Sequence, residues 1–216
     1  YRDYCRTLMG IDDSIGAVFN ELEGRKLLND TLIVYMGDNG FLFGEHGLID
    51  KRAMYEPSMR VPMMAHCPDL FEGGRGVDGM ALNIDIAPTL LAAAGAPPLA
   101  SVQGRSLLGL IQGASDWRTE FVYEYFWERD YPQTPTVTGL RTDQYSYMHY
   151  HGLWDLDELY DVRKDPDQMH NLLGGVRINT EGGRLFNRIQ DPALKKLVGD
   201  LQGRMRKILQ ETGGRL

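Results

Sequence analysis

Residues Gly37–Met63 read GDNGFLFGEHGLIDKRAMYEPSMRVPM, and this stretch decides both the fold and the candidate site. It follows TLIVYM (Thr31–Met36), a short and almost uniformly apolar run. Such a run is typical of a strand covered on both faces in a parallel sheet. Connections between elements are usually about 4–6 residues long, and much longer ones tend to be functional or disordered. The aromatic and aliphatic residues in this connection argue against disorder, so we interpret it as a structured site.

Charged and metal-capable side chains are concentrated in this connection. Asp38 and Asn39 come directly after the predicted strand, where open α/β sheets place their ligands. A carboxylate and an amide oxygen side by side suit a hard divalent cation such as calcium or magnesium. DNG is also a common turn sequence, so for this pair alone a turn without metal stays open. His46 lies between glycines, and Lys51 with Arg52 offers the charge and donors that hold a tetrahedral oxyanion.

The rest of the chain divides into two halves of different character. The first half predicts an α/β pattern, with helices at 4–22 and 84–96 and a second strand at 61–67. The second half predicts strands at 120–128, 136–142, 144–150 and 157–162, followed by an amphipathic helix at 193–211. The tight turn RTDQ indicates antiparallel pairing of the middle strands. We therefore predict an α/β domain at 1–113 and a small α+β subdomain at 114–216.

Composition excludes several classes of protein. The 216 residues carry a formal net charge of −7, which argues against a nucleic-acid binder with a basic face. The two cysteines, Cys5 and Cys67, give neither a disulfide framework nor a zinc-binding spacing. No run of about 18 apolar residues occurs, so no membrane span is predicted.

The ordered motifs resemble a known enzyme family. The pattern D-N-G…G-E-H-G-x-x-x-K, followed by Tyr55–Glu56, Arg60 and a V-P strand, resembles the second half of the sulfatases in the alkaline-phosphatase superfamily. The segments IDIAPTLLAAAGAP, QGRSLLGLI, LRTDQYSYMHY and ELYDVRKDPDQMHNL are similar to segments that follow this motif in sulfatases. The resemblance implies the C-terminal part of an alkaline-phosphatase-like α/β sandwich, with a small α+β subdomain of antiparallel sheet and C-terminal helix.

The resemblance also implies roles for individual residues. Asp38 and Asn39 match a pair that ligates calcium in sulfatases, and Lys51 matches a lysine that contacts the sulfate group, with His46 as a second candidate catalytic residue. In that family the nucleophile is a formylglycine made from cysteine in a C-x-P/A-x-R motif. Neither CRTLM nor CPDLF fits this motif. We therefore expect a C-terminal fragment of a calcium-dependent sulfatase that is inactive alone, the formylglycine lying in a part that this chain lacks.

The expected substrate is a sulfated sugar. The segments GEHGLIDKRAMYE and YHGLWDLDELYD resemble those of sulfatases that remove a 6-O-sulfate from N-acetylglucosamine units of glycosaminoglycan type. The predicted substrate-binding residues are Asp50, Lys51, Arg52, His151 and Trp154, with Arg141 and His149 as further candidates.

Two other interpretations of the protein's function stay open from the sequence. One is a phosphodiesterase or phosphonate hydrolase of the same superfamily, and the other is a non-catalytic carbohydrate-binding module. The predicted partner is a sulfated carbohydrate, with no nucleic acid and no membrane. Dimers or aggregates through exposed sheet edges are expected, and the family resemblance implies a secreted or periplasmic location.

Overall fold

The computed structural model describes residues 2–152, 156–174 and 189–214 and divides them into two compact units. The first unit combines the residues up to Met36 with Pro62–Trp117, and the second combines Gly37–Val61 with the residues from Arg118 onward. The long connection after the first strand therefore packs with the C-terminal part of the chain. The predicted domain boundary between residues 113 and 114 stays a prediction.

The first unit contains a strand pair and helices. Helix α1 (Arg2–Gly24) precedes strand β1 (Ile33–Met36), which pairs with strand β4 (Met63–His66). This pair is antiparallel, with Ile33 opposite His66 and Met36 opposite Met63. The prediction of a parallel sheet was therefore wrong for this pair. A short apolar run favours a covered strand, and all four residues of β1 are partly buried, but the run carries no information about the direction of the neighbouring strand.

A buried polar cluster holds the end of this unit together. A 3₁₀ turn at Asn83–Asp85 leads into helix α3 (Ile86–Ala93), and helix α4 (Leu107–Ile111) follows. The fully buried carboxylate of Asp85 accepts hydrogen bonds from the backbone N–H groups of Leu82 and Arg105, both at 2.8 Å. These bonds join the IDIAPT segment to the GRSL segment and explain why an acid is buried there.

The second unit is built on a four-stranded antiparallel sheet. Its strands run in the spatial order β5 (Glu120–Tyr125), β6 (Val137–Thr142), β7 (Tyr145–Tyr150) and β8 (Asp157–Asp161). Helix α5 (Pro192–Thr212) begins after Asp191, whose carboxylate caps the first turn, and ends at Gly213 with φ 77°. The antiparallel sheet and the C-terminal helix predicted from the sequence are confirmed.

Each face of this sheet has its own apolar core. One face packs against α5 through buried residues that include Leu140, Tyr147 and Leu159 from the strands and Val198, Leu201, Met205 and Leu209 from the helix. The opposite face contributes Val137, Met148 and Tyr160, and these pack with Leu42, Met54 and Tyr55 of the connection. Residues 37–61 therefore form a layer of this unit.

Within the described residues, no helix combines the length and the apolar character needed to cross a bilayer.

Candidate functional site

The connection folds into a compact layer that fixes its polar side chains. Strands β2 (Leu42–Phe43) and β3 (Ile49–Asp50) pair in antiparallel fashion, and helix α2 (Glu56–Met59) follows them. The N–H of Gly40 donates to the carbonyl of Ser58 at 2.8 Å. A Cβ at Gly40 would lie 2.0 Å from the carbonyl oxygen of Pro57, so only glycine allows this close approach. The start and the end of the layer are thereby tied together.

This folding brings Lys51 to Asn39, twelve positions earlier in the chain. The Nζ of Lys51 donates to Oδ1 of Asn39 at 3.2 Å, and Nδ2 of Asn39 donates to the carbonyl of Gly40 at 2.8 Å. Oδ1 of the neighbouring Asp38 accepts from the N–H of Asn39 at 2.9 Å. Asp38, Asn39 and Lys51 are all exposed. Lys51 thus contacts Asn39, the neighbour of Asp38, while the metal-binding and sulfate-binding roles of these residues stay predictions.

The acid–amide pair fits calcium in the type of its donor atoms but supplies only part of a coordination shell. Calcium takes 6–8 oxygen ligands, and Asp38 with Asn39 offers two side chains. The part of the chain that the structure describes holds no group of three or more His, Cys, Asp or Glu residues suited to a metal. In addition, Oδ1 of Asn39 accepts from the ammonium of Lys51, so this bond must open for the amide oxygen to bind a metal ion.

Asp50 and Arg52, on either side of Lys51, form a fixed ion pair. Nη1 of Arg52 donates to Oδ1 of Asp50 at 2.8 Å, and the two side chains are only 14% and 20% exposed. Burial raises the pKa of Asp50, but hydrogen bonds from the N–H of Lys51 and from Arg52, with the charge of Arg52, outweigh it and lower the pKa overall. Asp50 is thus held as a carboxylate.

The connection between β5 and β6 supplies further contacts to this ion pair. The guanidinium carbon of Arg52 lies 3.3 Å from the centroid of the Tyr131 ring. Its Nε also reaches Oε1 of Glu128 at 3.4 Å, and the hydroxyl of Thr134 donates to Oδ2 of Asp50 at 3.3 Å. Sequence analysis did not identify these residues, although RDYPQTP, with two prolines and an aromatic residue, marks a long structured connection between two predicted strands.

A cavity of about 340 Å³ opens at this cluster. Its lining residues are Phe41, Ile49, Asp50, Lys51, Arg52, Tyr131 and Gln133. The volume lies at the small end of the usual range for ligand pockets, roughly 300–1,000 Å³. The lining combines one carboxylate, two cations and two polar side chains with apolar walls, which suits a small, anionic, hydroxyl-bearing ligand.

His46 is positioned by an aromatic cluster. Its backbone has φ 55°, and its ring stacks on Tyr55 with 3.7 Å between centroids and 9° between planes. The hydroxyls of Tyr55 and Tyr160 both donate to Oε2 of Glu158 at 2.9 Å. Burial, with the charge of Glu158, raises the pKa of Tyr55 to about 12. Tyr55 is therefore a neutral, anchored support for the imidazole, a role that its place in the sequence did not reveal.

The other predicted substrate-binding residues do not line this cavity. Nε2 of His151 lies 3.0 Å from the hydroxyl of Thr138, and Nδ1 of His149 lies 2.5 Å from Oδ1 of Asp157. Nε of Arg141 donates to Oε1 of Glu56 at 2.6 Å, so it ties the sheet to helix α2. Trp154 lies outside the described residues. The substrate contacts proposed for His151 and Trp154 stay predictions.

Comparisons with known proteins identify the family. The model of the family described as "N-sulphoglucosamine sulphohydrolase, C-terminal" matches residues 44–207. An N-acetylglucosamine-6-O-sulfatase of Bacteroides thetaiotaomicron is 36% identical over 197 residues, which cover 88% of this chain and 35% of that protein. The "multifunctional alkaline phosphatase superfamily protein PehA" of Trinickia caryophylli is 32% identical over 185 residues, covering 79% of this chain and 36% of that one.

A solved structure gives the same picture at the level of the fold. A protein in complex with its substrate D-glucosamine-2-N,6-O-disulfate superposes with a TM-score of 0.85 and 30% identity, over 98% of this chain and 40% of that one. The chain thus spans 35–40% of the length of these relatives. The match to residues 44–207 includes most of the connection and the whole antiparallel sheet. The chain belongs to the N-sulphoglucosamine sulphohydrolase C-terminal family of sulfatases.

Proposed function

We propose that this chain is the C-terminal part of a calcium-dependent sulfatase that hydrolyses sulfate esters on sulfated sugars, with 6-sulfated N-acetylglucosamine or related glycosaminoglycan units as substrate. One observation carries the proposal: the ammonium of Lys51 meets Asn39 beside a cavity lined by Asp50 and Arg52. A similar protein 36% identical to this chain carries the name N-acetylglucosamine-6-O-sulfatase.

The residues of this chain would bind and orient the ester. Lys51 is a compact positive charge that can hold an oxygen of the sulfate group and neutralise charge that develops during bond cleavage. Asp50 accepts and Arg52 donates, so the pair can recognise a sugar hydroxyl in both of its hydrogen-bonding roles. A substrate without that hydroxyl leaves Asp50 and Arg52 without a hydrogen-bond partner on the ligand. The pair can therefore discriminate strongly between sugars that carry this hydroxyl and those that lack it.

The proposal includes two groups that the described residues do not supply, a calcium ion and a nucleophile. Asp38 and Asn39 would hold one side of a calcium ion, which as a Lewis acid polarises the ester oxygens. The nucleophile would be a formylglycine, since neither cysteine of this chain lies in the required sequence context. An exported location, secreted or periplasmic, belongs to the same proposal.

A second candidate is the hydrolysis of phosphodiesters or phosphonate esters. It is favoured by the similarity to the multifunctional alkaline phosphatase superfamily protein, at 32% identity. A lysine charge beside a metal-binding pair serves a phosphoryl group as well as a sulfuryl group. A non-catalytic module that only binds sulfated sugar is the third outcome that the experiment must separate.

The test uses the gene product at its full encoded length. Sulfate release from N-acetylglucosamine 6-sulfate is compared with hydrolysis of a phosphonate monoester and of a phosphodiester. Lys51→Ala should lower kcat for the sulfate ester by about 10²–10³-fold, because a preorganised charge at the reacting group is lost. Lys196→Ala removes an exposed lysine of α5 and should change nothing.

Three results would overturn the proposal. Cleavage of the phosphorus esters without sulfate release would favour the second candidate. Sugar binding without hydrolysis of any ester would indicate a binding module. Unchanged kcat in Lys51→Ala would remove Lys51 from the site. Chelation that abolishes sulfate release, with recovery on calcium addition, is expected for the metal part of the proposal.

A further inference from the structure

The connection between β5 and β6 is much longer than the fold requires. It runs from Phe126 to Thr136 between two adjacent antiparallel strands, where hairpin loops usually have about 2–5 residues. Hydrogen bonds fix its shape: the N–H of Trp127 donates to the hydroxyl of Thr136 at 2.9 Å, and that of Thr134 donates to the carbonyl of Tyr131 at 3.0 Å. We name it the β5–β6 wall.

The β5–β6 wall contacts the guanidinium of Arg52 on one of its faces and along one of its edges. The ring of Tyr131 covers the guanidinium face at 3.3 Å, and Glu128 accepts from Nε. With only 14% of the Arg52 side chain exposed, this cation–π contact is stronger than one in open water. Stacking fixes the plane of the guanidinium, so its N–H groups point in set directions.

The same contacts leave donors of Arg52 available. A guanidinium has five N–H donors, and here Nη1 binds Asp50 while Nε binds Glu128. Nη2 has no hydrogen-bond partner among the residues that the structure describes. Gln133 lines the same cavity, and its amide likewise has no partner within those residues. The cavity is thus offered a charged donor by Arg52, which the wall holds in place, and a neutral donor–acceptor group by Gln133 of the wall itself.

We propose that Tyr131 and Gln133 set the specificity of this site for a sulfated hexosamine, Tyr131 by fixing the guanidinium plane of Arg52 and Gln133 by pairing with a polar ring substituent. This inference rests on the proposed function and deepens it. Tyr131 is a positioning residue because it acts through Arg52. Lys51, in the same cavity, would hold the sulfate group, which places the sugar ring between the lysine and the wall.

The decisive quantity is a ratio of two specificity constants. We compare kcat/KM for N-acetylglucosamine 6-sulfate with kcat/KM for 4-nitrophenyl sulfate, which carries a sulfate ester but no sugar hydroxyls. Tyr131→Ala should lower this ratio about tenfold, because the guanidinium is no longer held. Gln133→Ala should lower it about five- to tenfold, since one hydrogen bond to the sugar is lost.

Conservative and neighbouring variants separate positioning from structure. Tyr131→Phe keeps the aromatic face and should restore the ratio. Asp130→Ala changes an exposed neighbour outside the cavity and should leave both constants unchanged. Melting temperatures of all variants show whether the wall remains folded. An unchanged ratio in Tyr131→Ala, or a Tyr131→Phe protein as defective as Tyr131→Ala, would overturn the inference.

A binding measurement distinguishes failure of the inference from failure of the proposed function. When the kinetic test shows no hydrolysis, calorimetry gives the Kd of N-acetylglucosamine 6-sulfate for the unmodified protein, Tyr131→Ala and Tyr131→Phe. If no ester is hydrolysed but Tyr131→Ala alone weakens binding, the proposed function fails and the wall retains its role. If hydrolysis is observed and the ratio does not change, the inference alone fails. If the unmodified protein does not bind the sugar, both fail.

Discussion

Asp50 is the residue whose ionisation state matters most for the candidate site. Its carboxylate accepts from the N–H of Lys51 at 2.6 Å, from Arg52 at 2.8 Å and from Thr134 at 3.3 Å. These contacts favour the charged form, and they lower the pKa despite the opposing effect of burial. The same carboxylate that would meet a sugar hydroxyl therefore also joins the 37–61 layer to the β5–β6 wall.

Asp50→Asn should lower the free energy of unfolding at pH 7 by roughly 1–3 kcal/mol, the range for hydrogen bonds to a charged group. Since the pKa of Asp50 in the folded protein lies below its usual 3.8, the stabilisation is present above pH 3.8. It is lost as the pH falls through the lower folded value. Denaturant unfolding of both proteins over a pH series measures this difference.

Asp130→Asn is the matched control for that experiment, because Asp130 is exposed and has no hydrogen-bond partner among the described residues. It should leave the free energy of unfolding at pH 7 unchanged. A deficit in Asp50→Asn that stays constant into strong acid would argue against the ionised form as the source of the stabilisation.

At the residue scale, only part of the site could be predicted from the sequence. Asp38, Asn39 and Lys51 lie in one short stretch whose residue types suggest their chemistry directly. Tyr131 and Gln133 lie some 80 positions further on, and only the pairing of β5 with β6 places them at the cavity. Tyr55 could not be identified as the support of His46, because a tyrosine beside apolar residues is also typical of an ordinary core.

At the scale of elements, strand β6 carries the layer that holds the site. Met54 packs on β6 at Gly139, where a Cβ would lie 2.1 Å from Sδ of Met54 and 2.5 Å from the carbonyl oxygen of Tyr147. The absence of a side chain at this position lets the layer approach the sheet. Tyr55, next to Met54, then reaches Glu158 of β8. One glycine thus sets the distance between the sheet and the site-bearing connection.

Gly139→Ala should lower the free energy of unfolding by roughly 1–3 kcal/mol or more, because the added methyl group overpacks a closed core. Under the proposed function, it should also lower sugar-sulfate turnover by the full-length gene product, since the layer that carries Lys51 must shift. Denaturant unfolding and the sulfate-release assay measure the two effects.

Gly203→Ala provides the contrast within the same unit. Gly203 lies inside α5 with no atom within 4 Å of the Cβ position. Alanine there should raise stability by roughly 0.5–1 kcal/mol through helix propensity. A Gly139→Ala protein as stable as the unmodified one would show that Met54 can move aside without cost.

Helices and strands themselves were largely predictable, whereas their partners were not. The apolar spacing of α1 and α5 and the Tyr-, Val- and Thr-rich runs of β5–β8 indicated the correct element types. The direction of β1 relative to β4 did not follow from composition. The packing of the 37–61 layer on the C-terminal sheet could not be predicted either, because a boundary drawn at one position along the chain cannot assign an earlier segment to the later unit.

At the scale of the whole molecule, helix α1 presents apolar side chains to solvent. Met9 is 69% exposed and Val18 is 53% exposed, and Tyr4, Leu8 and Ile11 are also exposed. No residue of this helix is buried among those described, although the ring of Phe19 lies 5.4 Å from that of His66 in β4. At about 100° per residue, Tyr4, Leu8, Ile11 and Val18 share one face of the helix, whereas Met9 lies on the opposite side. An exposed apolar face of this kind is typical of an interaction surface.

The sequence predicted self-association through exposed sheet edges, which stays a prediction. The apolar face of α1 adds a second surface, and we expect the 216-residue chain to associate through it in a concentration-dependent way. Ile11→Lys with Val18→Lys should shift the population towards monomer, because two charges on this face oppose its burial. Analytical ultracentrifugation over a range of concentrations measures the shift.

Asn20→Lys adds the same charge at another exposed position of α1 and should leave association unchanged. A monomer at all concentrations, or an equal effect of Asn20→Lys, would show that the apolar face of α1 is not responsible.

The polypeptide passes from one compact unit to the other at Met36–Gly37, again at Val61–Pro62 and a third time at Trp117–Arg118. A gene shortened to begin at Arg118 would encode the entire four-stranded sheet and α5 yet omit Leu42, Met54 and Tyr55, uncovering Val137, Met148 and Tyr160. Chimaeras that graft this sheet from one sulfatase onto another must therefore transplant residues 37–61 with it. If only one of the two segments is exchanged to change specificity, its apolar side chains will pack against those of a segment from a different protein.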